Sequence, residues 1–323
     1  MTQEINIAML GARGVGKTSL LTAIYEQFPD TIGKTNLQLT PDLESSALLQ
    51  ENLGKLKSLL DDFEAKGGIE NTEKERSFIF DLGKKGAKPS VRLKFTDFPG
   101  GYLNSQASAN NHKFVNDLLQ KTSVVLITID TPALMERDSK WHEAINRPQQ
   151  VADLFARVYT DIKSPKLVIF VPVRCESYLK DANSANILLK NVKEKYSRLL
   201  NLLSSAPLLP LVVSVVTPVQ TVGNVVFSSV KEIEGQPHFY FRKTSHDAKY
   251  SPKDSDQPLR YILRFMLKLQ IEDKDRNWGF YSPIRIWLGW DNYLKQAAMQ
   301  AALSCKTTEG FTVIQGDKWL NID

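Results

Sequence analysis

Two short runs in this sequence combine residue types and spacing suited to phosphate chemistry. Gly11-Ala12-Arg13-Gly14-Val15-Gly16-Lys17-Thr18 fits the pattern G-x-x-x-x-G-K-S/T. It follows the apolar run Ile5–Leu10 and precedes Leu20, Leu21, Ile24 and Phe28 at helical spacing, the strand–loop–helix setting that the pattern needs. Its glycines let successive backbone N–H groups curl around a β-phosphate, and the helix N-terminus adds partial positive charge. The expected cradle is Gly11, Gly14, Val15, Gly16, Lys17, Thr18 and Ser19, with Lys17 bridging β- and γ-phosphate oxygens and the Thr18 hydroxyl on Mg²⁺. The second run is Asp97-Phe98-Pro99-Gly100, at the end of the alternating segment Val91–Thr96. A carboxylate there suits the Mg²⁺ shell, and the Gly100 N–H suits a γ-phosphate whose loss would release the loop.

A base-reading loop is expected after Leu167–Val171, in Pro172-Val173-Arg174-Cys175-Glu176. Arg174 can lay its stem or guanidinium against a base, and Glu176 can accept from the guanine N1–H and 2-amino group. Adenine offers no such donor pair and would leave the carboxylate unsatisfied. Val173 stands where guanine-specific loops commonly carry Asn, so adenine, or no discrimination, stays open at this point. Cys175 reads as a packed thiol. Thr217-Pro218-Val219-Gln220-Thr221 occupies the place of a last base loop, with Pro218 and Val219 as its candidate base contacts.

The threonine that binds Mg²⁺ only alongside a triphosphate is expected just before the strand Ser77–Leu82, which favours Thr72, with Thr40 and Thr35 as alternatives. Catalysis is assigned to Lys17, Arg13 and Thr72. Arg13 has three readings: a solvated side chain, a guanidinium folded over the γ-phosphate, or a residue reaching a partner across a nucleotide-dependent interface. Gly101 directly follows Gly100, where many such enzymes carry a water-orienting Gln; Gln106 is the nearest substitute. Slow hydrolysis is the consequence. The four histidines, His112, His142, His238 and His246, have neither metal-ligand spacing nor a triad partner.

The elements that must position these groups follow from periodicity. Apolar strands at Val124–Ile129, Leu167–Val173 and Leu211–Val216 alternate with helical patterns near Val151–Val158 and Ile187–Leu203. Ser77–Leu82 and Val91–Thr96 form an antiparallel hairpin about Gly83–Pro89. The expected fold is α/β: a mostly parallel six-stranded sheet with one antiparallel edge strand and helices on both faces. An inserted helix is expected over about residues 43–66, with Leu49, Leu53, Leu56, Leu60 and Phe63 as a heptad-like stripe packing on its own domain. An aromatic hairpin is expected over about 221–255, then a helix capped by Asp256. The domain thus spans 1–272, followed by a Trp-rich extension, 273–323, holding four of the five tryptophans.

The 323 residues include 42% hydrophobic and 24% charged side chains, enough apolar surface for a core, which excludes a wholly disordered chain. The net charge of +5 is spread along the sequence, and the densest basic stretch, Lys84–Lys88, is a turn, so nucleic-acid binding is not expected. Cys175 and Cys305 are the only cysteines, consistent with a reducing compartment. No leader-like segment opens the sequence and no run is long enough to span a bilayer, so a cytoplasmic protein is expected.

With these motifs in hand, the sequence resembles the Ras-like, translation-factor-related P-loop GTPases, and more narrowly the bacterial double-GTPase families of multi-gene conflict systems. The resemblance rests on Gly11–Thr18, Asp97–Gly100, Val171–Glu176, Thr217–Thr221 and the Pro258-Leu259-Arg260 helix, and covers roughly residues 5 to 270. Such families often carry Lys where Arg174 stands. The resemblance implies GTP/GDP with Mg²⁺ as ligands. It also implies companion proteins and a role in defence, and the interface reading of Arg13 adds a homo- or heterodimer through the nucleotide face as an expectation.

Overall fold

The computed structural model describes residues 3–32, 37–65, 69, 74–104, 106–275, 296, 299–300 and 303–322. Its strands are β1 (Gln3–Leu10), β2 (Leu37–Pro41), β3 (Glu64–Ala65), β4 (Arg76–Lys84), β5 (Val91–Asp97), β6 (Val124–Asp130), β7 (Lys166–Val173), β8 (Val212–Val216), β9 (Val225–Ile233), β10 (Gln236–Lys243) and β11 (Thr312–Gln315). The α-helices are α1 (Lys17–Ile32), α2 (Leu43–Ser58), α3 (Ala109–Lys121), α4 (Thr131–Met135), α5 (His142–Ile145), α6 (Pro148–Val158), α7 (Ala182–Lys195), α8 (Ser197–Leu203) and α9 (Gln257–Asp275).

The main sheet has the order β11-β8-β7-β6-β1-β5-β4-β2. The six expected strands are its centre: β8, β7, β6, β1 and β5 run parallel, and β4 pairs antiparallel with β5. The expected count is corrected to eight, because β2 adds antiparallel outside β4 and β11 antiparallel outside β8. Both added strands are short, five and four residues, and little periodicity accumulates in so few positions.

Period-two alternation divides the core in two. Ile5, Ile7 and Met9 of β1 face Leu20, Leu21 and Ile24 of α1 and the apolar side of α9, whereas Ala8 and Leu10 face Val115 and Leu119 of α3 and the helices α6 to α8. β6 and β7 are buried at every position, as central parallel strands covered on both faces must be. Residues 312–322, placed in an extension from the sequence, join this body: β11 extends the sheet, and Trp319, Leu320 and Ile322 enter the core beside α9. Trp278, Trp287 and Trp290 lie outside the described residues.

The inserted helix is shorter than its stripe suggests. α2 ends at Ser58, and the chain turns into β3, whose Ala65 pairs with Phe241 and Glu64 with Arg242. Lys243 enforces the turn: its N–H donates to Phe63 O at 2.9 Å and its Nζ to Leu60 O at 2.8 Å. β3, β10 and β9 form a separate three-stranded sheet, which contains the expected aromatic hairpin. Its turn, Glu234-Gly235, has φ of 50° and 74°, the two positive values of a type I′ connection.

Candidate functional site

β1 stands between β5 and β6 at the point where the strand order reverses, and open α/β sheets bind ligands beyond the carboxyl ends of strands at such points. The Gly11–Gly16 loop leaves that end of β1 and α1 begins at Lys17. Gly14 and Gly16 adopt φ of 79° and 106°, which L side chains rarely reach. Lys17 is 6% exposed; its Nζ donates to Gly11 O at 3.0 Å and lies 3.7 Å from Asp97 Oδ1. Burial pulls the Lys17 pKa below its usual value, and the Asp97 carboxylate opposes that fall. The Thr18 hydroxyl donates to Asp97 Oδ2 at 2.9 Å. One buried carboxylate from β5 therefore meets both functional groups that open α1. A hydroxyl and a carboxylate converging beside a phosphate cradle suit Mg²⁺, which takes few protein oxygens and fills its shell with phosphate and water. Thr18 and Asp97 would hold it, and the ion would neutralise charge on the phosphates.

The second motif lies against the first. A Cβ built on Gly100 would come within 2.2 Å of Arg13 N and 2.3 Å of Ala12 C, so only glycine lets this loop rest on the phosphate loop. Phe98 is fully buried and anchors the loop in an aromatic cluster with Tyr102 and Phe114. Arg13 is exposed and, with Gly14, Gly16, Lys17, Thr18, Ser19 and Gly100, lines one half of a cleft. Gly11 and Val15 are buried behind it. Gln106 is exposed and does not line the cleft.

Arg174 and Glu176 line the other half. Arg174 sits at φ 59°; its Nη2 donates to Gly14 O at 2.9 Å and its Nη1 to Asp130 Oδ2 at 2.5 Å, tying the base loop to the phosphate loop. Glu176 Oε1 accepts from the N–H groups of Val222 (2.9 Å) and Gly223 (3.1 Å). Burial pushes the Glu176 pKa up, and these bonds counter the rise. Pro218 and Val219 lie elsewhere: both are buried, and the Val219 N–H is committed to Pro172 O at 2.8 Å. Thr221 and Val222 line the cleft in their place. Cys175 is the packed thiol expected, with its Sγ 3.2 Å from Thr131 Oγ1 and donating to Pro172 O.

Thr72 and Thr35 lie outside the described residues. Thr40 is on β2 opposite Asp81, which pairs with Arg92, five residues before Asp97; at about 3.3 Å per residue that is roughly 17 Å along the strands from Asp97. Thr40 does not line the cleft.

Sequence reasoning missed Asp130 and the apolar wall. Asp130 is 1% exposed; it caps α4 through Ala133 N–H and anchors Arg174. Its signal was the one that marked Asp97, a carboxylate ending a buried strand. Behind it, Asn146 Oδ1 accepts the Asp130 N–H, which orients the amide so that Nδ2 donates to Asp130 O and to His142 Nδ1, both at 3.0 Å. An imidazole accepting there is neutral, and burial lowers its pKa from 6.5 to about 4. The folded state therefore binds fewer protons than the unfolded state between those values, so stability is full above 6.5 and falls as pH drops towards 4. At about 1.36 kcal/mol per pH unit the full loss is about 3 kcal/mol. Urea midpoints at pH 7 and pH 4 check this; His142→Gln should lose that part of the acid sensitivity.

Among solved structures, the GTPase-like domain of S. cerevisiae Ski7 bound to GTP matches at 14% identity and TM-score 0.39, over 67% of this chain and 43% of that one. The signal recognition particle receptor SRβ-GTP/SRX complex from Chaetomium thermophilum matches at 13% identity and TM-score 0.40, over 69% and 93%. Era, in complex with MgGDPNP and a 16S ribosomal RNA segment, matches at 14% and 0.33, over 83% and 68%. The chain thus spans less than half of the Ski7 chain. None of the curated proteins matches this sequence. The Double-GTPase 2 family model matches residues 5–204, which take in the phosphate loop, Asp97–Gly100 and the Arg174–Glu176 loop, and the chain belongs to that family.

Proposed function

We propose that this protein is a regulatory switch that binds GTP with Mg²⁺, hydrolyses it slowly and acts with companion proteins in a bacterial defence system. The observation that carries the reading is the convergence on Asp97: Lys17 and Thr18 meet it while Gly100, two residues past Phe98, rests on Ala12 and Arg13. A loop so placed exchanges its contact with the P-loop for contact with a γ-phosphate, which is the physical basis of a switch. Gly101 in place of a water-orienting Gln supports a slow intrinsic rate. The exposed position of Arg13 at the cleft rim supports a homo- or heterodimer through the nucleotide face. Two free thiols support a cytoplasmic, reducing setting, and no helix among the described residues is long and apolar enough to cross a membrane.

The nucleotide retained through gentle purification tests the first step: guanine nucleotide supports the reading, and adenine nucleotide overturns it. Phosphate release over hours, with and without companion proteins, separates a GTPase from a nucleotide-stabilised scaffold, which Gly101 also suits. Glu176→Ala is expected to relax guanine preference while phosphate contacts persist. Each charge-assisted bond lost to the base weakens GTP by about 1.5–3 kcal/mol, whereas loss of the acceptor for Val222 and Gly223 weakens GTP and ATP alike, so the ratio of the two affinities is the readout. Competition of ATP and GTP for labelled GDP measures it; equal competition in the parent protein would already refute guanine selectivity.

A further inference from the structure

The cleft has two chemically different halves. Beyond the phosphate loop its wall is apolar, made by Leu56 of α2, Ala65 of β3, Val222, Val225 of β9 and Phe241 of β10. Phosphates have no use for such a wall; a flat heterocycle does. Arg174 is held at both ends of its guanidinium, by Asp130 and by Gly14 O, and its Cζ lies 5.6 Å from the centre of the Phe241 ring. The β9–β10 ladder shifts register at Tyr240/Phe241, where Ser228 of β9 is the extra residue, and such a bulge increases the local twist next to a functional site. Phe227 packs edge-on against the Phe241 ring at 6.1 Å and sets its tilt.

We propose that Phe241 and Arg174 are the two faces of a clamp on the purine ring, with Glu176 reading its edge between them. The clamp rests on the guanine-nucleotide reading of this site. A ring held between two faces needs about 7 Å, twice a contact distance of about 3.5 Å. Binding therefore draws Phe241 back from Arg174 by about 1.5 Å. Among the described residues the three-stranded sheet that carries Phe241 shares no ladder with the eight-stranded one, so the shift breaks no strand pairing between them. Specificity for a nucleotide over bare polyphosphate then comes from residues of the inserted helix and the hairpin.

The test uses the full chain, with GDP and inorganic tripolyphosphate as probes. Phe241→Leu keeps the apolar volume and removes the ring; it should weaken GDP roughly 5- to 150-fold, as loss of one base–aromatic stack does, and leave tripolyphosphate within about twofold. Phe241→Trp places a reporter at the same point; its emission should be quenched by GDP and not by tripolyphosphate. Parent-like GDP affinity in Phe241→Leu would overturn the clamp and leave the nucleotide reading standing. Equal weakening of both probes, or no quenching in Phe241→Trp, would overturn it too. A parent protein that binds tripolyphosphate but no guanine nucleotide would remove the clamp together with the reading beneath it.

Discussion

Lys17→Ala is expected to abolish measurable GTP and GDP binding and to lower the melting temperature even before nucleotide is added. Lys17 is buried with its ammonium on Gly11 O, 3.7 Å from Asp97 Oδ1. In the proposed nucleotide complex that ammonium turns to phosphate oxygens. Without it the phosphates meet Asp97 with no lysine charge between them. In the unliganded protein the substitution takes the cation from a carboxylate that is itself fully buried, and breaking such a pair costs about 3–5 kcal/mol. Ligand-induced stabilisation, about 2.7 kcal/mol at 100 times Kd in a competent protein, should vanish as well. Thermal unfolding with and without GDP separates the two losses: the parent shifts upward with ligand and the variant does not. Unchanged GTP affinity in Lys17→Ala would mean that the phosphate cradle is misassigned.

Arg13→Ala is expected to have the largest kinetic effect. Arg13 is exposed at the cleft that Lys17 and Thr18 line, two residues before Val15 turns back into the core. On the switch reading proposed above, a guanidinium there would approach developing charge on the γ-phosphoryl group, either in its own site or across an interface with a second nucleotide-bound molecule. Gly101 supplies no side-chain amide to orient water, and on the same reading a positive charge from Arg13 would replace part of the missing stabilisation. Arginine fingers contribute roughly 10³–10⁵ in rate. The variant should therefore bind GTP within about threefold of the parent, because the cradle's own N–H groups and Lys17 are untouched. Hydrolysis stimulated by a companion protein, or by a second copy at high protein concentration, should fall by a large part of that factor. Phosphate release measured across partner concentrations decides it. If Arg13→Ala matches the parent throughout, Arg13 is a solvated surface residue.

The sequence alone determined the phosphate half of the site, because its determinants are local. Glycines that reach positive φ, a lysine and a hydroxyl opening a helix, and a carboxylate ending a strand act within about ten residues of each other or at an element's end. Local pattern likewise determined the six central strands: period-two alternation marks β4 and β5, and continuous apolar runs mark β1, β6, β7 and β8, which are covered on both faces. Tertiary structure decided the nucleoside half. Leu56 and Phe241 were legible as apolar residues, yet the hydrophobic effect is non-directional, and apolarity does not say which surface a residue will cover. Pro218 and Val219 sit in the right stretch of chain, but the Val219 N–H is spent on Pro172, and the N–H groups that reach Glu176 come from Val222 and Gly223. The end of α2 was decided by Lys243, which lies 183 residues beyond Leu60 and gathers its carbonyl. Contacts of that separation exist only once the chain has folded, and no spacing along the sequence encodes them.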